Sequence, residues 1–162
     1  MLRIAVQSKG RLFEDTMALF AEADIKLSTS KRTLLTQSSN FPIEVLFLRD
    51  DDIPQSVASG VADLGIVGEN EFVERKEKAD IIYRLGFSKC RLSLAVHKEE
   101  EYNGPSWFNG KKIATSYPGI LQTYLDKQGI NADKAETKIA KCVIGRPIID
   151  RPIRIPIANM PQ

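Results

Sequence analysis

Short runs of mostly nonpolar residues recur along the chain, and the stretches between them mix polar and nonpolar residues. Nonpolar runs of this length are typical of strands that are buried on both faces of a sheet. The pattern predicts strands over residues 2–6, 43–48, 64–67, 81–85, 92–96 and 113–115.

Two of the intervening stretches have the features of helices. Phe13, Met17 and Phe20 lie at positions i, i+4 and i+7, which places them on one face of a helix. A second helix is predicted to begin after Pro118 and to end at Gly129, because proline is tolerated in a first turn and glycine readily ends a helix.

A third helix is predicted after the strand at residues 43–48. Asp52 is placed to cap its N-terminus, Pro54 fits its first turn, and Gly60 ends it. Strand and helix then alternate along most of the chain, and this order predicts an α/β fold with a largely parallel sheet.

Length and charge limit what kind of protein this is. The 162 residues suffice for one domain or two small lobes, since a domain usually has about 100–200 residues. A net charge of +2 is too small for the basic footprint of a nucleic-acid-binding protein. Lys9 and Arg11 stand where a signal peptide needs nonpolar residues, and no run reaches the about 18 nonpolar residues of a membrane span. We therefore expect a cytoplasmic protein with no nucleic-acid or membrane partner.

The chain offers few cysteine and histidine ligands for a metal. Cys90, Cys142 and His97 match neither a zinc-site spacing nor a disulfide framework. The acidic run at residues 50–52 could hold magnesium, but successive side chains of an extended chain point to opposite faces. Helix capping by Asp52 is the favoured interpretation of this run, and no metal held by the protein is predicted.

The best candidate for chemistry is the turn between the first strand and the first helix, which contains Lys9, Gly10 and Arg11. Ligands of open α/β sheets bind beyond the carboxyl ends of strands, and the N–H groups of a helix N-terminus suit phosphate. The sequence predicts an anion site here, although solvated loop residues are the alternative. No Walker loop and no Gly-x-Gly-x-x-Gly motif is present.

Two further turns are candidates. Gly65 and Gly68 lie in the segment that leads to Glu69, where glycines either let a ligand approach the backbone or only form a tight turn. Hydroxyl groups also follow the strand at residues 113–115, where they form a second anion site or merely cap the next helix. The residues of this second turn are Thr115, Ser116 and Tyr117.

These clusters, in this order, resemble the catalytic subunit of ATP phosphoribosyltransferase, the first enzyme of histidine biosynthesis. The resemblance runs from Leu2 to about Ile130. It implies a two-lobed fold like that of type II periplasmic binding proteins, with the active site in the cleft. The implied reaction is attack by N1 of ATP on C1 of 5-phosphoribosyl 1-pyrophosphate, with release of magnesium pyrophosphate. The motifs that carry the resemblance are residues 2–5 with 9–12, 49–54, 63–70, 90–95, and 109–111 with 113–118.

The resemblance also implies roles for individual residues. Arg11 and Arg32 match arginines that stabilise the departing pyrophosphate, and Lys9 matches a lysine that contacts substrate. Mg²⁺ is expected to arrive with the substrates ATP and phosphoribosyl pyrophosphate, and intact family members are expected to be homo-oligomers. The residues predicted to bind substrate are Gly10, Glu69, Thr115, Ser116 and Tyr117.

The last thirty residues depart from the family. Four of the eight prolines lie in the final sixteen positions, and the mostly polar stretch at residues 132–138 is not expected to form a strand. The family segment that grips the 5-phosphate of the substrate has no match after Ile130, which suggests a truncation or a shifted reading frame. We expect a first lobe at residues 1–90, an incomplete second lobe at 91–130 and a nonfamily tail at 131–162.

Such a chain is expected to be inactive by itself. One alternative is a noncatalytic two-lobed module that binds a small anion without turning it over. Another is a noncatalytic remnant that assembles with intact subunits. The cations at positions 9, 11 and 32 favour the transferase.

Overall fold

The computed structural model describes residues 1–28, 33–97, 99–136 and 153–155. The chain forms two compact units, Met1–Lys89 and Cys90–Gln162. None of the described helices is both long enough and nonpolar enough to cross a membrane. The division of the chain at residues 90 and 130 into a complete lobe, a partial lobe and a tail stays a prediction, and most of the proline-rich segment lies outside the described residues.

The first unit contains β1 (Leu2–Gln7), α1 (Arg11–Glu22), β2 (Leu35–Gln37), β3 (Ile43–Leu48), α2 (Ile53–Ala58), β4 (Leu64–Ile66) and α3 (Glu69–Arg75). The strands form a four-stranded mixed sheet with the order β2-β3-β1-β4. Strand β1 runs parallel to both β3 and β4, whereas β2 runs antiparallel to β3. The α/β prediction is confirmed, and the edge strand β2 makes the sheet mixed.

Both faces of this sheet are covered, as nonpolar strands require. Ile4 and Val6 of β1 pack on one face with Phe20 of α1, and Ala5 packs on the opposite face with Ile53 of α2. This alternation follows from the two-residue period of a strand. The predicted helical face is confirmed, because Phe13 and Met17 also pack against the cluster that contains Phe20.

The described residues of the second unit form β5 (Leu92–Leu94), β6 (Lys112–Thr115), α4 (Pro118–Gln128), β7 (Asp133–Glu136) and β8 (Ile153–Ile155). Strands β5 and β8 pair antiparallel, while β6 and β7 pair parallel and are connected through α4. Helix α4 begins at Pro118, and Gly129, with φ +65°, is its C-cap, as the sequence predicts.

Strand β7 corrects the expectation that residues 132–138 form no strand. It pairs with β6 in parallel from Lys112 opposite Asp133 to Thr115 opposite Glu136. Strand pairing uses backbone N–H and C=O groups, so a mostly polar segment can join a sheet through its backbone.

The strand predicted at residues 81–85 is not found. This segment pairs with no strand within the described parts of the chain, and Ile82 and Tyr83 are 75% and 77% exposed. A nonpolar run supplies a surface for burial, but it becomes a strand only where a second strand pairs with it.

The prediction that Asp52 caps α2 with its side chain is wrong. Asp52 occupies the N-cap position, but its carboxylate makes no capping hydrogen bond. The preceding residues, Asp50–Asp52, form a 3-10 turn that continues into the helix, so Asp52 has helical φ and ψ of −90° and −18°. A capping side chain normally needs an extended backbone at this position.

Candidate anion-binding site

The site is centred on the turn from β1 into α1. Gly10 is the N-cap residue of α1 and has φ +91°, a left-handed conformation that glycine adopts without steric cost. Lys9 and Arg11, on either side of it, are both exposed. The turn therefore presents two positive charges beside the N-terminus of a twelve-residue helix, where the N–H groups of the first turn lack acceptors within the helix.

Strand order brings a further cation to this turn. The N–H of Ser8 donates to the carbonyl of Leu48 at 2.9 Å, so the carboxyl ends of β1 and β3 lie side by side. Lys9 follows Ser8 and Arg49 follows Leu48, so the two cations leave this hydrogen-bonded pair side by side, and Arg49 is exposed. The sequence analysis did not select Arg49 as a site residue. Its position as a cation directly after a buried strand is the signal that could have identified it.

Glu69 lies at the same carboxyl-terminal end of the strands. It is the first residue of α3, shortly after β4, whose partner in the sheet is β1. Arg84 donates to its carboxylate at 3.1 Å, which offsets the negative charge near the cationic turn. Because β1 lies between β3 and β4, the chain continues to opposite sides of β1, and ligands of open α/β sheets bind at such a reversal of strand order.

The acidic run is not arranged as a metal site. Asp51 accepts a hydrogen bond from Arg75 at 3.2 Å, and Arg75 also lies 3.7 Å from the carboxylate of Glu71. Asp50 accepts a hydrogen bond from the N–H of Asp51 at 3.2 Å. Across residues 1–28, 33–97 and 99–136, no three His, Cys, Asp or Glu side chains are grouped to hold a metal ion. The carboxylates in this run therefore do not fit a magnesium site.

The second predicted turn lies in the other unit, between β6 and α4. The hydroxyl of Thr115 accepts a hydrogen bond from the N–H of Tyr117 at 3.0 Å. Tyr117 is the N-cap residue of α4, so the interpretation of Thr115 or Ser116 as the N-cap is wrong. The N-cap is later because Pro118, which fits the first helical position, begins the helix, and Tyr117 precedes it.

The predicted site residues thus fall into two groups. Lys9, Gly10, Arg11 and Glu69 lie at one edge of the sheet of the first unit. Thr115, Ser116 and Tyr117 form the turn of the second unit. Arg32 lies outside the described residues.

Gly65 serves packing, which neither sequence interpretation anticipated. A Cβ atom at this position would lie 2.7 Å from Cγ2 of Ile53 and 3.0 Å from Cγ2 of Val57, both in α2. Helix α2 can pack closely on β4 only because residue 65 has no side chain.

We expect Gly65→Ala to lower the free energy of unfolding by about 1–3 kcal/mol, the usual cost of overpacking a core. Urea denaturation followed by far-ultraviolet circular dichroism would measure this. Ile53→Ala removes the methyl group that the new Cβ would meet, so the double variant should lose less stability than the two single losses added together. Strict additivity would show that α2 and β4 are not in close contact at residue 65.

Comparison with known proteins identifies the family. The model of the family described as HisG, ATP phosphoribosyltransferase, matches residues 49–138. The chain belongs to the ATP phosphoribosyltransferase family. The resemblance seen in the sequence is confirmed, and the family match extends past the motif at residues 113–118 to include β7.

Relatives of this family member have high sequence identity over part of their length. The ATP phosphoribosyltransferase of Phocaeicola vulgatus is 79% identical over 133 residues, which are 82% of this chain and 47% of the relative. That of Bacteroides thetaiotaomicron is 77% identical over the same shares. The chain therefore spans about half the length of the curated relatives it matches.

A solved structure shares the fold. The ATP phosphoribosyl transferase (HisG:HisZ) complex from Thermotoga maritima contains a chain that superposes with a TM-score of 0.66 at 24% identity. The match covers 86% of this family member and 66% of the Thermotoga maritima chain.

Proposed function

We propose that this family member serves the transfer of a 5-phosphoribosyl group to ATP, the first step of histidine biosynthesis, in the cytoplasm. N1 of the adenine attacks C1 of phosphoribosyl pyrophosphate, the bond from C1 to the pyrophosphate oxygen breaks, and pyrophosphate leaves with its Mg²⁺. The observation that carries the proposal is the cationic turn at residues 9–11, at the strand-order reversal of a chain that belongs to this family.

The proposed role of the turn is electrostatic. Negative charge grows on the departing pyrophosphate, so cations fixed beside it stabilise the transition state more than the separated substrates. Lys9, Arg11 and Arg49 supply these charges in the first unit, and Arg32 is proposed to add a fourth. The chemistry needs no covalent intermediate with the protein.

The remaining predicted residues are proposed to orient the substrates. The carboxylate of Glu69 can accept hydrogen bonds from hydroxyl or amino groups. The turn formed by Thr115, Ser116 and Tyr117 offers hydroxyls at the N-terminus of an eleven-residue helix. Mg²⁺ is proposed to arrive with the polyphosphates, because the acidic run at residues 50–52 does not fit a metal site.

The proposed architecture is that of a type II periplasmic-binding-protein-like fold with an incomplete second lobe. Oligomeric assembly, as a homo-oligomer in intact family members, is part of the proposal. The Thermotoga maritima relative, named as a HisG:HisZ complex, supports an assembly of several chains.

Titration calorimetry with pyrophosphate tests the cationic turn. Arg11→Ala and Arg49→Ala should each weaken binding about ten- to a hundredfold, since a hydrogen bond to a charged group contributes about 1.5–3 kcal/mol. Arg32→Ala should also weaken it. Raising the ionic strength from about 0.05 to 0.5 M shortens the Debye length about threefold. The parent chain should therefore bind pyrophosphate more weakly at the higher ionic strength.

Two variants serve as controls. Lys78→Ala removes one exposed positive charge of the same unit, and His97→Ala changes an exposed residue of the other unit. Both should bind pyrophosphate nearly as tightly as the parent chain. If the arginine variants and Lys78→Ala bind pyrophosphate with equal affinity, the loss of binding reflects only the lower net charge, and the proposed site is contradicted.

A further inference from the structure

Helix α1 holds a distant segment of the chain through two side chains on one face. Arg11 donates from Nη2 to the backbone carbonyl of Lys89 at 3.2 Å. Asp15 accepts a hydrogen bond from the hydroxyl of Ser88. Arg11 and Asp15 are one helical turn apart, so they project from the same face of α1 and contact adjacent residues of the segment.

The acceptor for Arg11 follows a turn of the backbone that is attached to α1. Gly86 has φ +80°, and Ser88 has φ +47°, which is unusual for a residue with a side chain. The Asp15–Ser88 hydrogen bond fastens this turn to α1. The carbonyl of Lys89, the next residue, is therefore held at a fixed distance from the helix.

The hydrogen bond to the carbonyl of Lys89 limits the conformations of the Arg11 side chain. The Arg11 side chain is long and exposed, and it would otherwise sample many rotamers. One hydrogen bond to a fixed carbonyl restricts it, and the guanidinium has five N–H donors in total. Arg11 can therefore keep its bond to Lys89 while other donors contact an anion.

We propose that Asp15 and Ser88 are positioning residues for Arg11. They fix the carbonyl of Lys89, and that carbonyl orients the guanidinium for pyrophosphate. The inference rests on the proposed function, since it assigns Arg11 to the leaving group.

Charge and positioning predict opposite results for Asp15. Removing a carboxylate near an anion site should strengthen anion binding if only charge matters. Removing the group that fixes the arginine should weaken it. Glu14 is the matched control, because it is the neighbouring carboxylate in α1 and is exposed.

The experiment is a pyrophosphate titration of a small set of variants. Asp15→Ala should weaken binding about three- to tenfold, as loss of orientation does. Asp15→Asn, which keeps an acceptor for Ser88, and Glu14→Ala should bind at least as tightly as the parent chain. Ser88→Gly removes the hydroxyl while tolerating positive φ, so it should weaken binding as Asp15→Ala does and serves if that variant fails to fold.

A double-variant cycle separates positioning from general structural support. In an Arg11→Ala background, Asp15→Ala should no longer weaken binding, because the residue that it positions is absent. The same loss factor in both backgrounds would overturn the proposal. So would binding by Asp15→Ala as tight as that by Glu14→Ala.

A ligand-free readout keeps this inference distinct from the proposed function. The NMR order parameter of the Arg11 Nε–H bond should be high in the parent chain and in Glu14→Ala, and lower in Asp15→Ala. If the folded parent chain binds no pyrophosphate, the proposed function fails, and the order parameter alone decides whether Asp15 positions Arg11. An order parameter unchanged by Asp15→Ala would overturn the inference.

Discussion

Turnover by the 162-residue chain alone is expected to be at least about a thousandfold below that of a full-length relative, because orientation of the substrates contributes several orders of magnitude to such a rate. The chain spans 47% of the Phocaeicola vulgatus enzyme. The sequence predicts that the family segment that grips the 5-phosphate is missing from residues 131–162. Cations at the first turn can bind pyrophosphate without holding C1 of the sugar in line with N1 of ATP.

The ultraviolet absorbance of phosphoribosyl-ATP measures this turnover directly. The Bacteroides thetaiotaomicron relative, 77% identical over the shared part, is the positive control. Any residual rate should fall further in Arg11→Ala, and a residual rate unaffected by that change would come from a contaminating enzyme. Turnover within tenfold of the full-length relative would contradict the prediction. Pyrophosphate binding with a residual rate that Arg11→Ala lowers supports the transferase, whereas pyrophosphate binding with no turnover at all would match the small-anion module.

The largest effect on stability is expected from Phe20→Ala, which should lower the free energy of unfolding of the first unit by about 3–5 kcal/mol. Phe20 is 6% exposed and packs in the cluster that joins α1 to β1 and β3. Its removal leaves a cavity that strands held by a hydrogen-bonded ladder cannot fill. Glu22→Ala, an exposed change on the same helix, should cost little.

The spectroscopic probe that measures the effect of Phe20→Ala has to report on the first unit. The single tryptophan, Trp107, belongs to the second unit, so its fluorescence reports on that unit. Far-ultraviolet circular dichroism, combined with amide exchange in β1 and β3, does follow it. A loss below about 1 kcal/mol for Phe20→Ala would show that α1 does not pack on the sheet as described.

Local features of the sequence predicted much of the fold. The nonpolar runs located β1 and β3, helical spacing placed Phe20 in the core, and glycine located the end of α4. Each of these signals depends on residues within a few positions of one another, because burial period and helix ends are local properties.

Pairing between distant segments could not be predicted in the same way. Residues 81–85 have the composition of a strand and form none in the described chain, whereas β2 and β7 are short or polar and do pair. A strand is defined by its partner, and the partner lies elsewhere in the sequence.

The candidate site also combines features that are local in the sequence with contacts between distant segments. The sequence by itself determined the turn with Lys9, Gly10 and Arg11, because a strand, a glycine and a helix start are adjacent in the chain. Only the tertiary structure decided that Arg49 leaves the neighbouring strand beside Lys9, and that the carbonyl of Lys89 accepts from Arg11. These neighbours are tens of residues apart in the sequence. They meet because of the strand order and the path of the chain, which follow from packing of the whole unit rather than from any local pattern.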